Sequence, residues 1–320
     1  MIALALAALL TAMPVQDPST PAPAVAPQES PQSAPFDLGD IDVVGRPLES
    51  MIQSFVNEVA APNRHRGIAR WKTDICIGVA NLRPDTAQYI LDRVSTIAED
   101  LGLNPGRPGC APDVIIIATD DPDGLTQRII QDRGRALRVG GAGMDRGGAA
   151  LRAFAASDRP VRWWQVSMPV DSFTGQRAIR IPGECTGSCS SPLDMAPVLT
   201  STTSTRLGTQ IVDNLFRTVV ILDVDQVGRV SGQQLADYVA MVSLAQIDPE
   251  ADTSGYVSVL NIFENPESAE GLTNWDRAYL NGLYAAERTR ANLRSGRGEI
   301  AASINRAHQT LARESEATRD

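Results

Sequence analysis

Histidine and lysine are almost missing from this chain of 320 residues. The two histidines are His65 and His308, so roughly 240 consecutive residues contain no imidazole. Imidazole is a common zinc ligand, because its nitrogen lone pair binds the metal and helps to orient bound water. The gap therefore argues against a histidine-ligated metal centre, and we predict neither a metal nor a cofactor.

The single lysine, Lys72, stands in a chain whose net charge is -9. Proteins that bind nucleic acid need a clustered basic surface to contact phosphates. The acidic balance therefore predicts no nucleic-acid partner. A length of 320 residues with 43% hydrophobic content is enough for a sizeable globular core.

Long apolar runs are also lacking, except for a short one at the start of the chain. Residues 2–10 are all apolar, and the run ends near Val15, which suits a signal-peptide core and is too short to cross a bilayer. We predict a signal peptide at 1–17, export to the periplasm or the extracellular space, and no integral membrane segment. A buried N-terminal helix is the alternative.

Proline is concentrated in one segment. Seven of the 21 prolines lie between Pro14 and Pro35, among Ala, Ser and Gln. This composition is typical of an extended, solvated tether, so we predict a disordered linker at 18–36. Residues 37–60 are expected to brace the domain that follows, with an amphipathic helix over 47–60.

The next region has the pattern of strand, helix, strand. Residues 70–79 are predicted to form a strand, 85–101 an amphipathic helix that ends at Gly102, and Val114–Thr119 a buried strand rich in β-branched residues. Such a unit implies two parallel strands joined by a crossover. The fold class is therefore predicted to be α+β, with a mixed sheet packed against helices.

Four cysteines fit an exported protein. Cys76 lies in the first of these strands and Cys110 just before the second, so adjacent strands could bring the two together. Cys185 and Cys189 could close a small loop. We favour these two disulfides among the three possible pairings, and half a zinc site is the less favoured alternative for Cys185 and Cys189.

A glycine-rich stretch at 134–148 precedes a strand at 161–170. The glycine spacing does not match a dinucleotide fingerprint, so a surface loop is favoured. Alternation within the strand places Trp163 and Trp164 on opposite faces. We expect Trp163 to be the partly exposed aromatic, and either a core-edge residue or a ligand contact.

A helix is predicted over 231–246, where Ser231 and Gln234 form a capping box. The small residues Ala236, Ala240 and Ser243 share one face, which by itself indicates a packing surface. Just before this helix, Asp223 and Asp225 begin a partial imitation of an EF-hand loop. Apolar or amide residues stand at its other ligand positions, so a turn is favoured over calcium.

This helix resembles the zinc-binding helix of metzincin proteases, HExxHxxGxxH, with the ligands replaced. Ala236 and Ala240 stand at the first two ligand positions and Gln246 at the third, while Asp237 stands at the general-base position. Residues 272–284 resemble the closing LTxxDxxxLxxLY helix, and Thr273 and Asp276 form their own capping pair. The chain is similar to uncharacterised secreted bacterial proteins with a ligand-depleted metzincin-like domain. This resemblance implies a twisted mixed sheet in one globular domain at 37–286.

After that domain the chain turns polar. Residues 287–320 contain seven arginines and five acidic residues, a net charge of +2. We predict a partly helical tail, with Ile304 and Leu311 too sparse to anchor it deeply.

Three function classes remain open. The leading expectation is a non-catalytic, pseudoprotease-like domain that binds a protein or a cell-envelope component through a metal-free groove. The alternatives are a metal-independent hydrolase with paired carboxylates, drawn from Asp223, Asp225, Asp237 and Asp248, and a structural envelope protein. The residues predicted to line the groove are Trp163, Ala236, Asp237, Ala240, Ser243 and Gln246.

Overall fold

The computed structural model describes residues 47–63, 66–138, 146–178, 208–290 and 292–317. Its helices are α1 (Leu48–Val59), α2 (Pro84–Asp100), α3 (Pro122–Leu137), α4 (Gly147–Ala155), α5 (Gly232–Leu244), α6 (Asn274–Ala285) and α7 (Leu293–Ala317). Its strands are β1 (Asp74–Ile75), β2 (Ile77–Ala80), β3 (Asn104–Pro105), β4 (Val114–Thr119), β5 (Val161–Asp171) and β6 (Ile211–Asp223). The predicted signal peptide and linker lie outside these ranges.

The main sheet has four strands in the order β2, β4, β6, β5. β2 pairs in parallel with β4 and β4 with β6, whereas β5 at the edge runs antiparallel to β6. The predicted parallel pair around α2 is confirmed, and so is the broader prediction of an α+β fold with a mixed sheet. None of the described helices is both long enough and apolar enough to cross a membrane.

Helices cover both faces of this sheet. One face packs with α1, α2, α5, α6 and α7 in the larger core cluster. The other face packs against α3 and α4 in a smaller cluster that includes Phe154 and Trp164. Burial from both sides explains the continuous apolar runs of β4 and of β6 at 219–222, because these parts of the sheet have little contact with solvent.

The two predicted capping boxes are both present. Ser231 accepts a hydrogen bond from the Gln234 amide at the start of α5, and Thr273 accepts one from the Asp276 amide at the start of α6. Asp276 is buried and also accepts bonds from Ser258 Oγ and the Val259 amide. Burial raises the pKa of this carboxyl, while the four donors around it oppose the rise. The cap of α6 thus also fixes the preceding loop.

Cys76 and Cys110 form a disulfide bond with a Cα–Cα distance of 6.0 Å, as predicted. The bond joins Cys76, which lies between β1 and β2 rather than within one continuous strand at 70–79 as predicted, to the loop before β4. The Cys76 amide also donates to Asp113 Oδ2. The predicted pair of Cys185 and Cys189 lies outside the described residues. So does the centre of the glycine-rich stretch, at 139–145.

The C-terminal segment is better anchored than its sequence indicates. Helix α7 buries Ile300, Ala301, Ser303 and Ile304 against the main core, so the expectation of a weakly anchored tail is wrong. The physical reason is Gly282 in α6. A Cβ atom at this position would overlap the backbone of Ile304, so the missing side chain lets the two helices pack closely.

This close contact makes Gly282 intolerant of substitution. We expect Gly282→Ala to lower the free energy of unfolding by about 1–3 kcal/mol, because the added methyl group must push α7 away from α6. Gly298→Ala is the matched control, since Gly298 lies in α7 with open space around it. The control should be neutral or should stabilise by up to about 1 kcal/mol. Urea denaturation measures both, and equal behaviour of the two variants would disprove the proposed packing role.

Candidate functional site

Ala236 and Ala240 of α5 and Gln246 just after it, which the resemblance aligns with the three zinc ligands, all lie in the interior, and so does Ser243. Ala236, Ala240 and Ser243 are each 0% exposed and Gln246 is 1% exposed. Gln246 Oε1 accepts a hydrogen bond from the Ala69 amide at 2.9 Å. These four residues line no solvent-accessible groove in this structure. Their contact with a ligand stays a prediction, and it would require the side chains around them to move.

Side chains from three other segments fill the space at the end of α5. A helix end leaves four carbonyl groups without intrahelical partners, and buried carbonyls need other donors. Three side chains supply these donors here, which closes the region where the resemblance implies an active-site cleft. The bonds run from Gln165 Nε2 to Val242 O (2.6 Å) and Ala245 O (2.5 Å), from Trp71 Nε1 to Ser243 O (2.8 Å), and from Tyr284 Oη to Leu244 O (2.7 Å).

Asp237, which the resemblance aligns with the general base of metzincins, forms a buried ion pair. Its carboxylate is fully buried and accepts two bonds from Arg93 of α2, at 2.5 Å from Nε and 3.0 Å from Nη2. A third bond comes from the Leu272 amide at 2.7 Å. The bond to Asp237 is the main reason why the pKa of Arg93 is raised. Asp237 thus ties α5 to α2 and to the start of α6, with no contact to solvent.

Trp163 is only 4% exposed, so the expectation that it is partly exposed is wrong. Its indole Nε1 donates to Ile247 O at 3.0 Å, and its ring meets the Tyr238 ring edge-on at 6.1 Å. The alternation of the strand was assigned correctly, because Trp163 and Trp164 lie in different core clusters. Trp163 is buried because α5 covers the face of β5 on which it lies.

Among the carboxylates considered for hydrolysis, those of Asp223 and Asp248, like that of Asp237, have partners within the fold. Asp223 accepts bonds from the Asp225 amide and Gln226 Nε2 in the turn after β6. Asp248 accepts a bond from Arg146 at 2.6 Å. In the part of the chain that the structure describes, no three His, Cys, Asp or Glu side chains are grouped so that they could hold a metal.

A cleft lies on the opposite face of the sheet, between α3, α4 and the start of β5. It has two compartments that share Ser157 and Arg162. The larger compartment has a volume of about 640 Å³ and opens to solvent. The smaller has about 30 Å³, which is room for roughly one water molecule. Its walls include Phe154 and Trp164, whose ring centroids are 5.7 Å apart.

Arginines supply the inner polar surface of this cleft. Arg162 is 4% exposed, and its Nη1 donates to Asp123 Oδ1 at 2.6 Å. Its Nε is buried and has no hydrogen-bond partner among the residues that the structure describes. Arg146 and Arg159 line the smaller compartment and are partly buried. The acidic residues of the lining are exposed and lie at the rim; they are Asp123, Asp158 and Glu250.

Comparison with protein-family models, with curated protein sequences and with solved structures finds no match to this chain. The cleft is concave, and its lining combines apolar side chains with charged ones, as in many ligand-binding sites.

Sequence reasoning did not find this cleft. It placed a loop at 134–148, whereas α3 extends to Leu137 and α4 begins at Gly147. One signal was available: Arg162 interrupts a strand in which ten consecutive residues, 161–170, are buried. A charged side chain inside such a strand is uncommon and needs a specific partner.

Proposed function

We propose that this protein is an exported, non-catalytic binding domain of metzincin-like ancestry. Its ligand is a protein or a component of the cell envelope, bound in the cleft between α3, α4 and β5. One observation carries the proposal. The ligand positions of α5 are packed into the core, while the cleft on the other face of the sheet is open and lined by arginines.

The metzincin-like ancestry is supported by the order of the parts. Helix α5 follows β6, and α6, which contains the LTxxDxxxLxxLY pattern, packs beside α5. The antiparallel strand β5 lies at the edge of an otherwise parallel sheet. These features agree with the layout that the sequence resemblance implies.

The absence of catalysis is supported by the chemistry of α5. Methyl groups at 236 and 240 have no lone pair to bind a metal. Asp237 accepts three hydrogen bonds from Arg93 and Leu272, so its carboxylate is committed to the fold. A general base must reach the proton that it abstracts, and this carboxylate is fully buried.

Export is supported by two independent features. The disulfide between Cys76 and Cys110 is a bond that persists in oxidising compartments. The apolar run at 2–10 has the length of a signal-peptide core. Together they favour the periplasm or the extracellular space.

Blocking the cleft tests the binding function. Ala153 and Ala156 line the two compartments and are exposed, so tryptophan at both positions fills the cleft without entering the core. We expect Ala153→Trp/Ala156→Trp to reduce co-sedimentation with purified cell envelopes at least about tenfold, or roughly 1.4 kcal/mol. Ala302→Trp, at an exposed position of α7, is the control and should bind like the wild type.

Three results would overturn the proposal. The wild-type protein could fail to sediment with envelopes, or the blocked variant could sediment as well as the wild type. The protein could also cleave peptides in a way that Asp223→Asn or Asp225→Asn abolishes, which would support the hydrolase alternative instead.

A further inference from the structure

We propose that Arg162 forms an anion subsite at the base of the cleft, which takes a carboxylate group of the ligand. In the free protein, the side chain of Asp123 occupies part of this subsite. The inference rests on the proposed binding function of the cleft, and it names the chemical group that the cleft recognises.

The first argument is the cost of burying Arg162. Its side chain is 4% exposed in a strand whose neighbouring residues are all buried. Its counter-ion Asp123 is 76% exposed, so most of that carboxylate is in water. An exposed partner offsets only part of the desolvation of a buried charge. Arg162 is therefore incompletely compensated in the free protein.

The second argument is the unused hydrogen-bonding capacity of Arg162. A guanidinium has five N–H donors and binds carboxylates best through two parallel hydrogen bonds. Asp123 accepts from Nη1 alone, and the buried Nε has no acceptor. A donor left unsatisfied inside a protein is unfavourable. A second carboxylate in the cleft, or one that displaces Asp123, would supply the missing acceptor.

The third argument is the distribution of charge around Arg162. Arg146 and Arg159, partly buried, line the same compartment as Arg162. Arg146 is paired with Asp248. The lining acids Asp158 and Glu250 are exposed at the rim. The more buried charged groups of the lining are therefore arginines, although the whole chain has a net charge of -9.

The occupant already present indicates the chemistry of the ligand. Asp123 is a carboxylate on a short side chain, held at 2.6 Å from Arg162. Apolar side chains also line the larger compartment beside the arginine, among them Ile130 and Leu151. A carboxylate attached to a small apolar group fits both features.

Asp123→Asn tests the subsite, because it removes the competing carboxylate without emptying a buried position. We expect this variant to bind succinate roughly threefold to tenfold more tightly than the wild type. Asp132→Asn is the matched control: it makes the same change of charge at an exposed position of α3 outside the cleft lining, and it should leave the affinity unchanged.

The readout is the ¹⁵N-detected Nε–H resonance of Arg162, assigned by its loss in Arg162→Met. Succinate should shift this resonance, and a purely structural arginine would not respond. Arg162→Met should weaken succinate binding at least about tenfold. If Arg162→Met fails to fold, through-bond spectra of the wild-type protein assign the Arg162 Nε–H resonance. The change in succinate affinity of Asp123→Asn then tests the subsite by itself.

Two outcomes would overturn the subsite. Succinate could leave the Arg162 resonance unmoved in Asp123→Asn, or inorganic phosphate could bind this variant more tightly than succinate. The result is separable from the envelope assay. If the tryptophan variant loses envelope binding while succinate has no effect at Arg162, only the subsite is refuted. If the tryptophan variant keeps envelope binding while succinate shifts Arg162, only the binding function is refuted.

Discussion

Histidine at both Ala236 and Ala240 is expected to destabilise the protein without creating a zinc centre. Both positions are 0% exposed, so each imidazole must be forced into a packed interior. Overpacking of this kind costs about 1–3 kcal/mol at each site. Gln246, which the resemblance aligns with the third zinc ligand, is a poor ligand for zinc, and its amide oxygen already accepts a hydrogen bond from the Ala69 amide. Chemical denaturation with and without added zinc measures the effect.

The control places two histidines, also one helical turn apart, on the exposed side of α7. Gly298→His/Ala302→His puts two exposed imidazoles one turn apart on α7, where open space surrounds residue 298. This variant should keep nearly the stability of the wild type and show only weak zinc binding. A stable Ala236→His/Ala240→His variant with one tightly bound zinc would contradict the packed arrangement that the structure shows.

Loss of the arginine that pairs with Asp237 should have an effect of similar size. Arg93→Met leaves a fully buried carboxylate with only the Leu272 amide as a donor, so we expect the free energy of unfolding to fall by about 3 kcal/mol. The Arg93 side chain is 29% exposed, so the expected loss of unfolding free energy lies at the lower end of the range for buried ion pairs. Urea denaturation at neutral pH measures it.

Arg297→Met provides the comparison, because Arg297 is exposed on α7 and the substitution removes the same charge. It should change stability by less than about 0.5 kcal/mol. Asp237→Asn should also destabilise, since its amide group turns N–H donors toward the donors of Arg93. If Arg93→Met and Arg297→Met unfold at the same denaturant concentration, the ion pair does not stabilise the fold.

The parts of the fold that sequence reasoning predicted are those with strong local signals. Helix α2 has an apolar stripe and a glycine after its end, and the observed helix begins and ends within one residue of the prediction. Strand β4 is a run of β-branched residues, and its bounds are as predicted. The Ser231 and Thr273 caps depend on neighbours three residues away, which the sequence displays directly.

The parts that it missed depend on contacts between distant segments. Alternation in β5 shows which residues share a face, but it cannot show that α5 covers one face and α4 the other. The exposure of Trp163 was therefore misjudged. The anchoring of α7 depends on a glycine 22 residues before Ile304, and the cleft depends on α3, α4 and β5 together. Periodicity within one segment contains none of this information.

The side chains that donate hydrogen bonds to the end of α5 couple the unfolding of three distant segments. Trp71, Gln165 and Tyr284 lie 172, 77 and 40 residues from the carbonyls that they bond. If any of the three segments detached alone, buried carbonyls would be left without partners, which opposes partial opening. The segment before β1 that contains Trp71, the strand β5 and the helix α6 are therefore expected to unfold together. Their amide hydrogens should share one exchange rate in the slowest class.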